Sequence, residues 1–272
     1  MKPRPPGRRL LYLVTEDWYF ASHRLPLARA AVEAGYQVTV ACRVREHGEA
    51  LRQAGCEVVP FVLSRAGIAP WREWRAWRRL VALYRERRPD LVHHVALKPV
   101  LYGSAAARRA GKVAVVNALA GLGYLSSSGT LKARLLRPAV WAALRRALRG
   151  DRHRLIVQNP EDREVLLAAG LVAPEQLVLM RGVGVALDQF VPSPEPSGPP
   201  MVLLPARMLW AKGVGEFVAA ARELRQRGLD ARFVLAGRAD SDNPTAVPLA
   251  QLQSWAGGGD VEWWGHREDM AA

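Results

Sequence analysis

The chain is 272 residues long and half hydrophobic, a composition that excludes a generally disordered polypeptide and gives room for two α/β domains or one large one. Its 39 Lys and Arg outnumber 25 Asp and Glu, and the excess is local: residues 1–191 carry 31 against 15, a net of +16, while residues 192–272 carry 8 against 10, a net of −2. Cys42 and Cys56 lie in no metal-ligand or redox spacing and read as buried thiols of a reducing cytoplasm, and no apolar run reaches the roughly 18 residues of a membrane span.

From the N-terminus, β-like runs at 10–14, 37–41, 57–61, 91–94, 113–116, 155–158 and 177–179 alternate with helical patterns at 25–34, 46–54, 71–87, 100–110, 131–149 and 160–169. The first run stops at Glu16 and Asp17, too short for a signal sequence. Gly35, Gly55, Gly111 and Gly170 follow helices as stop signals. The alternation predicts a doubly wound parallel sheet over residues 1–191. Residues 192–200 are a proline-rich linker by composition. Beyond it, strands at 201–204, 232–235 and 261–263 alternate with helices at 212–227 and 248–255, and a further helix is expected from Arg267. This second unit, 201–272, has three strands where a nucleotide-binding Rossmann domain uses about five or six. The expectation is therefore a C-terminally truncated chain, with part of the apolar face of Val202, Leu204, Val234 and Leu235 uncovered and the segment after Pro200 labile to proteolysis.

Chemistry concentrates at the ends of these strands. Arg207 and Lys212 sit between the strand at 201–204 and the following helix, where a helix N-terminus and two spaced cations suit a diphosphate. In the first unit, loops at the carboxyl edge of the sheet carry His23, His94 and Lys98, which are expected to converge on one crevice. His93 and His94 are adjacent on one strand and should point to opposite faces, so one of them at most lines a site. Gly121 and Gly123 allow close backbone approach to a ligand or form a plain tight turn. Asp240-Ser241-Asp242 has the look of a metal-binding pair, but it follows a strand and adjoins Asn243-Pro244, so a loop role without metal is expected. Trp71, Trp74 and Trp77, with Leu80, Val81 and Tyr84, form an apolar stripe flanked by Arg72, Arg75, Arg78 and Arg79. Such a stripe serves either as core or as a seat on an anionic membrane.

The segment Pro205-Ala206-Arg207-Met208-Leu209-Trp210-Ala211-Lys212-Gly213 resembles the strand–Arg–x4–Lys–Gly–helix motif of retaining, GT-B-fold glycosyltransferases of family 4. Gly184-Val185 is similar to the start of that family's interdomain signature, although Ala186 stands where Asp is usual. Ser22-His23-Arg24-Leu25-Pro26, His94-Val95-Ala96-Leu97-Lys98-Pro99, Asn117 to Tyr124 and Trp264-Gly265-His266-Arg267 extend the resemblance over nearly the whole chain. They are similar to a branch of bacterial enzymes that extend undecaprenyl-diphosphate-linked sugars, the N-acetylgalactosaminyltransferases of the N-glycosylation type. The resemblance implies a GT-B fold of two Rossmann-like domains and transfer of a hexose or N-acetylhexosamine from a nucleotide diphosphate sugar, a UDP-sugar above all, to a lipid-linked glycan. It implies catalytic roles for His23, His94 and Lys98, donor binding by Arg207, Lys212, Gly237, His266 and Arg267, and acceptor binding by Ser22, Arg24, Gly121 and Gly123. No metal or cofactor is implied, and the partners expected are the nucleotide sugar, the acceptor and the anionic inner membrane surface, reached from the cytoplasm. The family's paired glutamates are not found among residues 201–272, so this chain is expected to be inactive in transfer by itself.

Two other classes fit less well. Nucleic-acid binding would use the basic first half, yet no recognition motif appears and the cations are not interleaved with exposed aromatics. A dinucleotide oxidoreductase would need a G-x-G-x-x-G after the first strand, and there is none.

Overall fold

The computed structural model describes residues 7–63, 70–111, 113–119, 131–185, 187, 190–195, 197–240, 245–267 and 269–270, with backbone only at 131–137. The chain divides into two compact units, Met1–Gly184 and Val185–Ala272. The division falls ahead of the proline-rich stretch rather than within it.

The first unit runs β1 (Arg9–Glu16), α1 (Asp17–His23), α2 (Leu25–Glu33), β2 (Gln37–Arg43), α3 (Gly48–Gln53), β3 (Glu57–Pro60), α4 (Pro70–Arg87), β4 (Leu91–Val95), α5 (Leu97–Ala110), β5 (Ala114–Leu119), α6 (Leu131–Leu148), β6 (His153–Val157), α7 (Pro160–Ala168) and β7 (Leu177–Leu179). Its seven strands lie in the order β3-β2-β1-β4-β5-β6-β7, every pair parallel. Because a pleated strand sends alternate side chains to opposite faces, both faces need a cover. Leu11, Leu13, Val92 and Val115 pack with Leu80, Val81 and Tyr84 of α4 and Ala106 and Ala107 of α5. Leu10, Tyr12, Val14, Val38 and Val40 pack on the other side with Phe20 of α1, Ala28 of α2 and Leu51 of α3. The strand order reverses between β1 and β4, the place where open α/β sheets bind their ligands.

The second unit runs β8 (Met201–Pro205), α8 (Val214–Gln226), β9 (Arg232–Ala236), α9 (Leu249–Gly257) and β10 (Glu262–Trp263), with the parallel sheet order β10-β9-β8. It has its own core of Met208, Val214, Val218, Phe233, Leu235, Leu252, Trp255 and Val261.

Several elements differ from the sequence expectation. Helix α1 was not anticipated: seven residues rich in aromatics show no helical period, and the turn is held by Phe20, which is fully buried. Arg24 separates it from α2, and Pro26 sits in the first turn of α2, where its missing N–H is tolerated. Helix α5 begins at Leu97, not at 100, because Pro99 likewise falls in its first turn. The expected helix at 212–227 is two pieces, a 3₁₀ turn Trp210–Lys212 and then α8, joined by Gly213 at φ 75°. Of the four residues expected on an uncovered face, Val234 and Leu235 are fully buried and Val202 is exposed, together with Met201 and Leu203 of the same strand. The stripe on α4 divides: Trp77, Leu80, Val81 and Tyr84 join the core, whereas Trp71 and Trp74 are 56% and 57% exposed. The helix expected from Arg267 falls where Glu268, Ala271 and Ala272 lie outside the described residues.

Candidate active site

In the first unit, α1 starts directly at the carboxyl end of β1. Asp17, fully buried, accepts hydrogen bonds from the backbone N–H of Trp18 (2.8 Å), Arg45 (2.6 Å) and His47 (3.0 Å) and so ties α1 to the β2–α3 loop. Burial would raise its pKa, but these N–H donors hold it below the ordinary carboxylate value. Ser22 and His23 stand exposed at the end of α1. The Ser22 hydroxyl donates to the Trp18 carbonyl (2.9 Å) and lies 2.6 Å from His23 Nδ1, while the His23 ring stacks on Tyr19 with centroids 4.5 Å apart. Burial, with a smaller push from Arg24, lowers the His23 pKa below the ordinary imidazole value. Arg24 itself is turned inward and is 7% exposed.

His93 and His94 point to opposite faces, as the strand pleat requires. His93 packs on Tyr12 across the β1–β4 pair, with ring centroids 5.1 Å apart, and burial followed by the charge of Arg24 lowers its pKa to about 3. His94 is fully enclosed on the α4–α5 side. Its Nδ1 meets Asn117 Oδ1 at 2.8 Å and its Nε2 meets the Tyr84 hydroxyl at 2.9 Å. Asn117 Oδ1 also accepts from the Ser104 hydroxyl at 3.2 Å. An acceptor at Nδ1 fixes that nitrogen as the donor and leaves Nε2 to accept from Tyr84. Gly103 makes room for the ring, since a Cβ there would lie 2.4 Å from Nε2. Burial lowers the His94 pKa to about 4.

Lys98 Nζ pairs with Glu73 Oε1 at 2.9 Å, joining the first turns of α5 and α4. Glu73 also bonds Tyr102, whose pKa is pushed up to about 12 by burial and by that carboxylate. His23 meets Ser22 and Tyr19, His94 meets Asn117 and Tyr84, and Lys98 meets Glu73. Ala96, between His94 and Lys98, has φ 81° and ψ 163°, a conformation nearly restricted to glycine. Gly121 and Gly123 lie outside the described residues.

In the second unit, Arg207 follows β8 and Lys212 closes the 3₁₀ turn before α8; both side chains are exposed. Arg207 Nη1 donates to Asp240 Oδ2 at 2.9 Å. Gly237 is required by packing, because a Cβ there would sit 1.8 Å from the Ala206 carbonyl oxygen. Its N–H donates to the Gly265 carbonyl (2.7 Å), and its own carbonyl accepts from Trp263 Nε1 (2.9 Å). His266 and Arg267 are exposed beyond β10, with Arg267 paired to Asp269 and 5.7 Å from the Trp264 ring. Arg207, Gly237, Asp240, His266 and Arg267 therefore all follow the carboxyl ends of neighbouring strands. No cluster of three or more His, Cys, Asp or Glu side chains able to hold a metal occurs among the described residues. Ser241 to Pro244 lie outside them.

Sequence reasoning did not single out Glu73, Tyr84 and Asn117 as partners of the site. Glu73 and Tyr84 come from the two ends of α4 and Asn117 from β5; the register of β4 with β5 sets Asn117 opposite His94, and the packing of α4 on α5 and β4 supplies the other two.

Against known families, residues 9–159, more than half of the chain, match the glycosyl transferase 4-like model. The chain belongs to that family. One relative, the N,N'-diacetylbacillosaminyl-diphospho-undecaprenol alpha-1,3-N-acetylgalactosaminyltransferase of Campylobacter jejuni, is 28% identical over 261 residues, 91% of this chain. The chain spans 66% of that relative's length. Among solved structures, the sucrose-phosphate synthase of Thermosynechococcus elongatus superposes with a TM-score of 0.72 at 16% identity, over 96% of this chain and 71% of that one. Anabaena HepE, solved with UDP and glucose, superposes with a TM-score of 0.68 at 16% identity, over 96% and 70%. The fold class is accordingly GT-B, two Rossmann-like parallel-sheet units.

Proposed function

We propose that this glycosyl transferase 4-like chain moves a hexose or N-acetylhexosamine from a UDP-sugar to a hydroxyl of a polyprenyl-diphosphate-linked saccharide, with retention, at the cytoplasmic face of an anionic membrane. The observation that carries the reading is the placement of Arg207 and Lys212 on the loop between β8 and α8, at the carboxyl edge of a parallel sheet. The bond from the anomeric carbon to the diphosphate breaks, and the nucleotide diphosphate leaves with the electron pair. The acceptor oxygen bonds to that carbon on the same face. Arg207 and Lys212 neutralise the charge that grows on the leaving group, and loss of one such preorganised donor costs about 2.7–4 kcal/mol of transition-state stabilisation. His23, exposed at the end of α1, takes the acceptor hydroxyl proton. His94, on β4, is a positioning residue held by Asn117, and Lys98 is held by Glu73. The acceptor class is supported by the name of the Campylobacter relative, and the uridine nucleotide by the UDP in the Anabaena structure.

The test is calorimetric titration of the chain with UDP and with UDP-N-acetylhexosamines. Saturable binding is expected, weakened roughly tenfold to a hundredfold in Arg207→Gln and in Lys212→Gln, the range for a lost charge-assisted hydrogen bond. Absence of binding, or binding by both variants as tight as that of the natural chain, would end this reading.

A further inference from the structure

Arg207 has a competitor within the chain. Asp240 Oδ2 accepts from Arg207 Nη1 at 2.9 Å, with the arginine side chain 48% exposed and the aspartate 28%. Both residues stand on a rigid frame. Ala206 N–H donates to the Ala236 carbonyl (3.0 Å), Met208 N–H donates to the Arg238 carbonyl (3.3 Å), and Met208 pairs with Ala239 in a parallel bridge. Arg207 precedes one member of that bridge and Asp240 follows the other, so their roots cannot drift apart. Among the described residues Asp240 is the only carboxylate that pairs with Arg207.

We propose that Asp240 is an internal stand-in for phosphate: its carboxylate holds Arg207 while the site is empty and yields the guanidinium to a phosphate of the nucleotide. The inference rests on the reading of Arg207 as a diphosphate ligand. A single carboxylate in a half-exposed pair binds weakly, by a factor of about five at most. A diphosphate carries more charge and can accept from both arms of the guanidinium, so it displaces the carboxylate. Once displaced, Asp240 stays close and repels the diphosphate. Its net effect is to weaken the hold on a bound nucleoside diphosphate, which favours release of the spent nucleotide after transfer.

A purely structural brace would behave differently. Removing a brace loosens the exits of β8 and β9 and weakens every ligand of this edge, charged or not. Removing a competitor tightens only the ligand that carries phosphate.

The experiment is calorimetric titration of the 272-residue chain with UDP and with uridine at low ionic strength. It compares the natural chain, Asp240→Asn, Arg207→Gln and the double variant, with thermal unfolding as the control for folding. Asp240→Asn is expected to tighten UDP by roughly two- to fivefold and to leave uridine unchanged. In the Arg207→Gln background the same change should tighten UDP by less, because only the direct repulsion is then relieved. Weaker or unchanged UDP binding in Asp240→Asn, or any shift for uridine, overturns the stand-in role. UDP binding that responds to Arg207→Gln but not to Asp240→Asn rejects this inference and keeps the diphosphate reading. No UDP binding by any of the four proteins removes both.

Discussion

At the scale of single residues, the buried histidines make the fold sensitive to acid. His93 and His94 are held neutral, chiefly by burial, with pKa values of about 3 and about 4. Unfolded, each titrates near the ordinary value of about 6.5. Below that value the unfolded chain takes up protons that the folded chain refuses. Stability is therefore full above about pH 6.5 and falls as the pH drops toward 4, by up to about 1.4 kcal/mol per pH unit for each histidine. Urea unfolding at pH 7, 6 and 5 should show that slope, and His94→Gln should remove about half of it. An unchanged slope in the variant would assign the acid sensitivity to other groups. Legibility at this scale followed distance along the chain. The placement of Arg207 and Lys212 between β8 and α8 was readable because it lies in one short segment. The enclosure of His94 was not, because it depends on Tyr84, Asn117 and Gly103, which only the packed sheet assembles.

At the scale of elements, α4 is the informative case. Its sequence offered one stripe, and packing divided it. The last turns are core, while Trp71 and Trp74 of the first turns remain exposed, with the Arg75 guanidinium 5.0 Å from the Trp71 ring and that of Arg78 4.8 Å from the Trp74 ring. Glu73 of the same turn is fixed by Lys98. Exposed indoles under arginines suit the headgroup region of an anionic bilayer, where each basic side chain contributes about 1 kcal/mol. The chain is expected to sediment with vesicles containing anionic lipid, to be released by salt, and to lose most of this binding in a Trp71→Ser, Trp74→Ser double variant. Equal binding to neutral vesicles would contradict it. Helix α1 shows the opposite limit of sequence reading. It was invisible because seven residues are too few for a period to emerge, and the turn exists only because Phe20 is buried beneath it and Asp17 anchors its start.

At the scale of the whole molecule, the strand alternation and the change in composition at 192–200 were enough to foresee two parallel-sheet units, since βαβ units impose their order through simple hydrophobic runs. They foresaw only in part where the uncovered surface of the second sheet would fall, since Val202 is exposed but Val234 and Leu235 are buried. It falls on β8, which pairs with β9 on one side only among the described residues and exposes Met201, Val202 and Leu203. An open strand edge with apolar side chains is a template on which an identical strand from another molecule can lie, so concentrated solutions should turn turbid through β8 to β8 pairing before the protein unfolds. Leu203→Lys, which places a charge on that edge, should slow the growth of scattered light severalfold at unchanged melting temperature. If turbidity develops at the same rate in the variant, the sticky surface lies elsewhere. On that expectation, the shelf life of the protein is set by one five-residue strand.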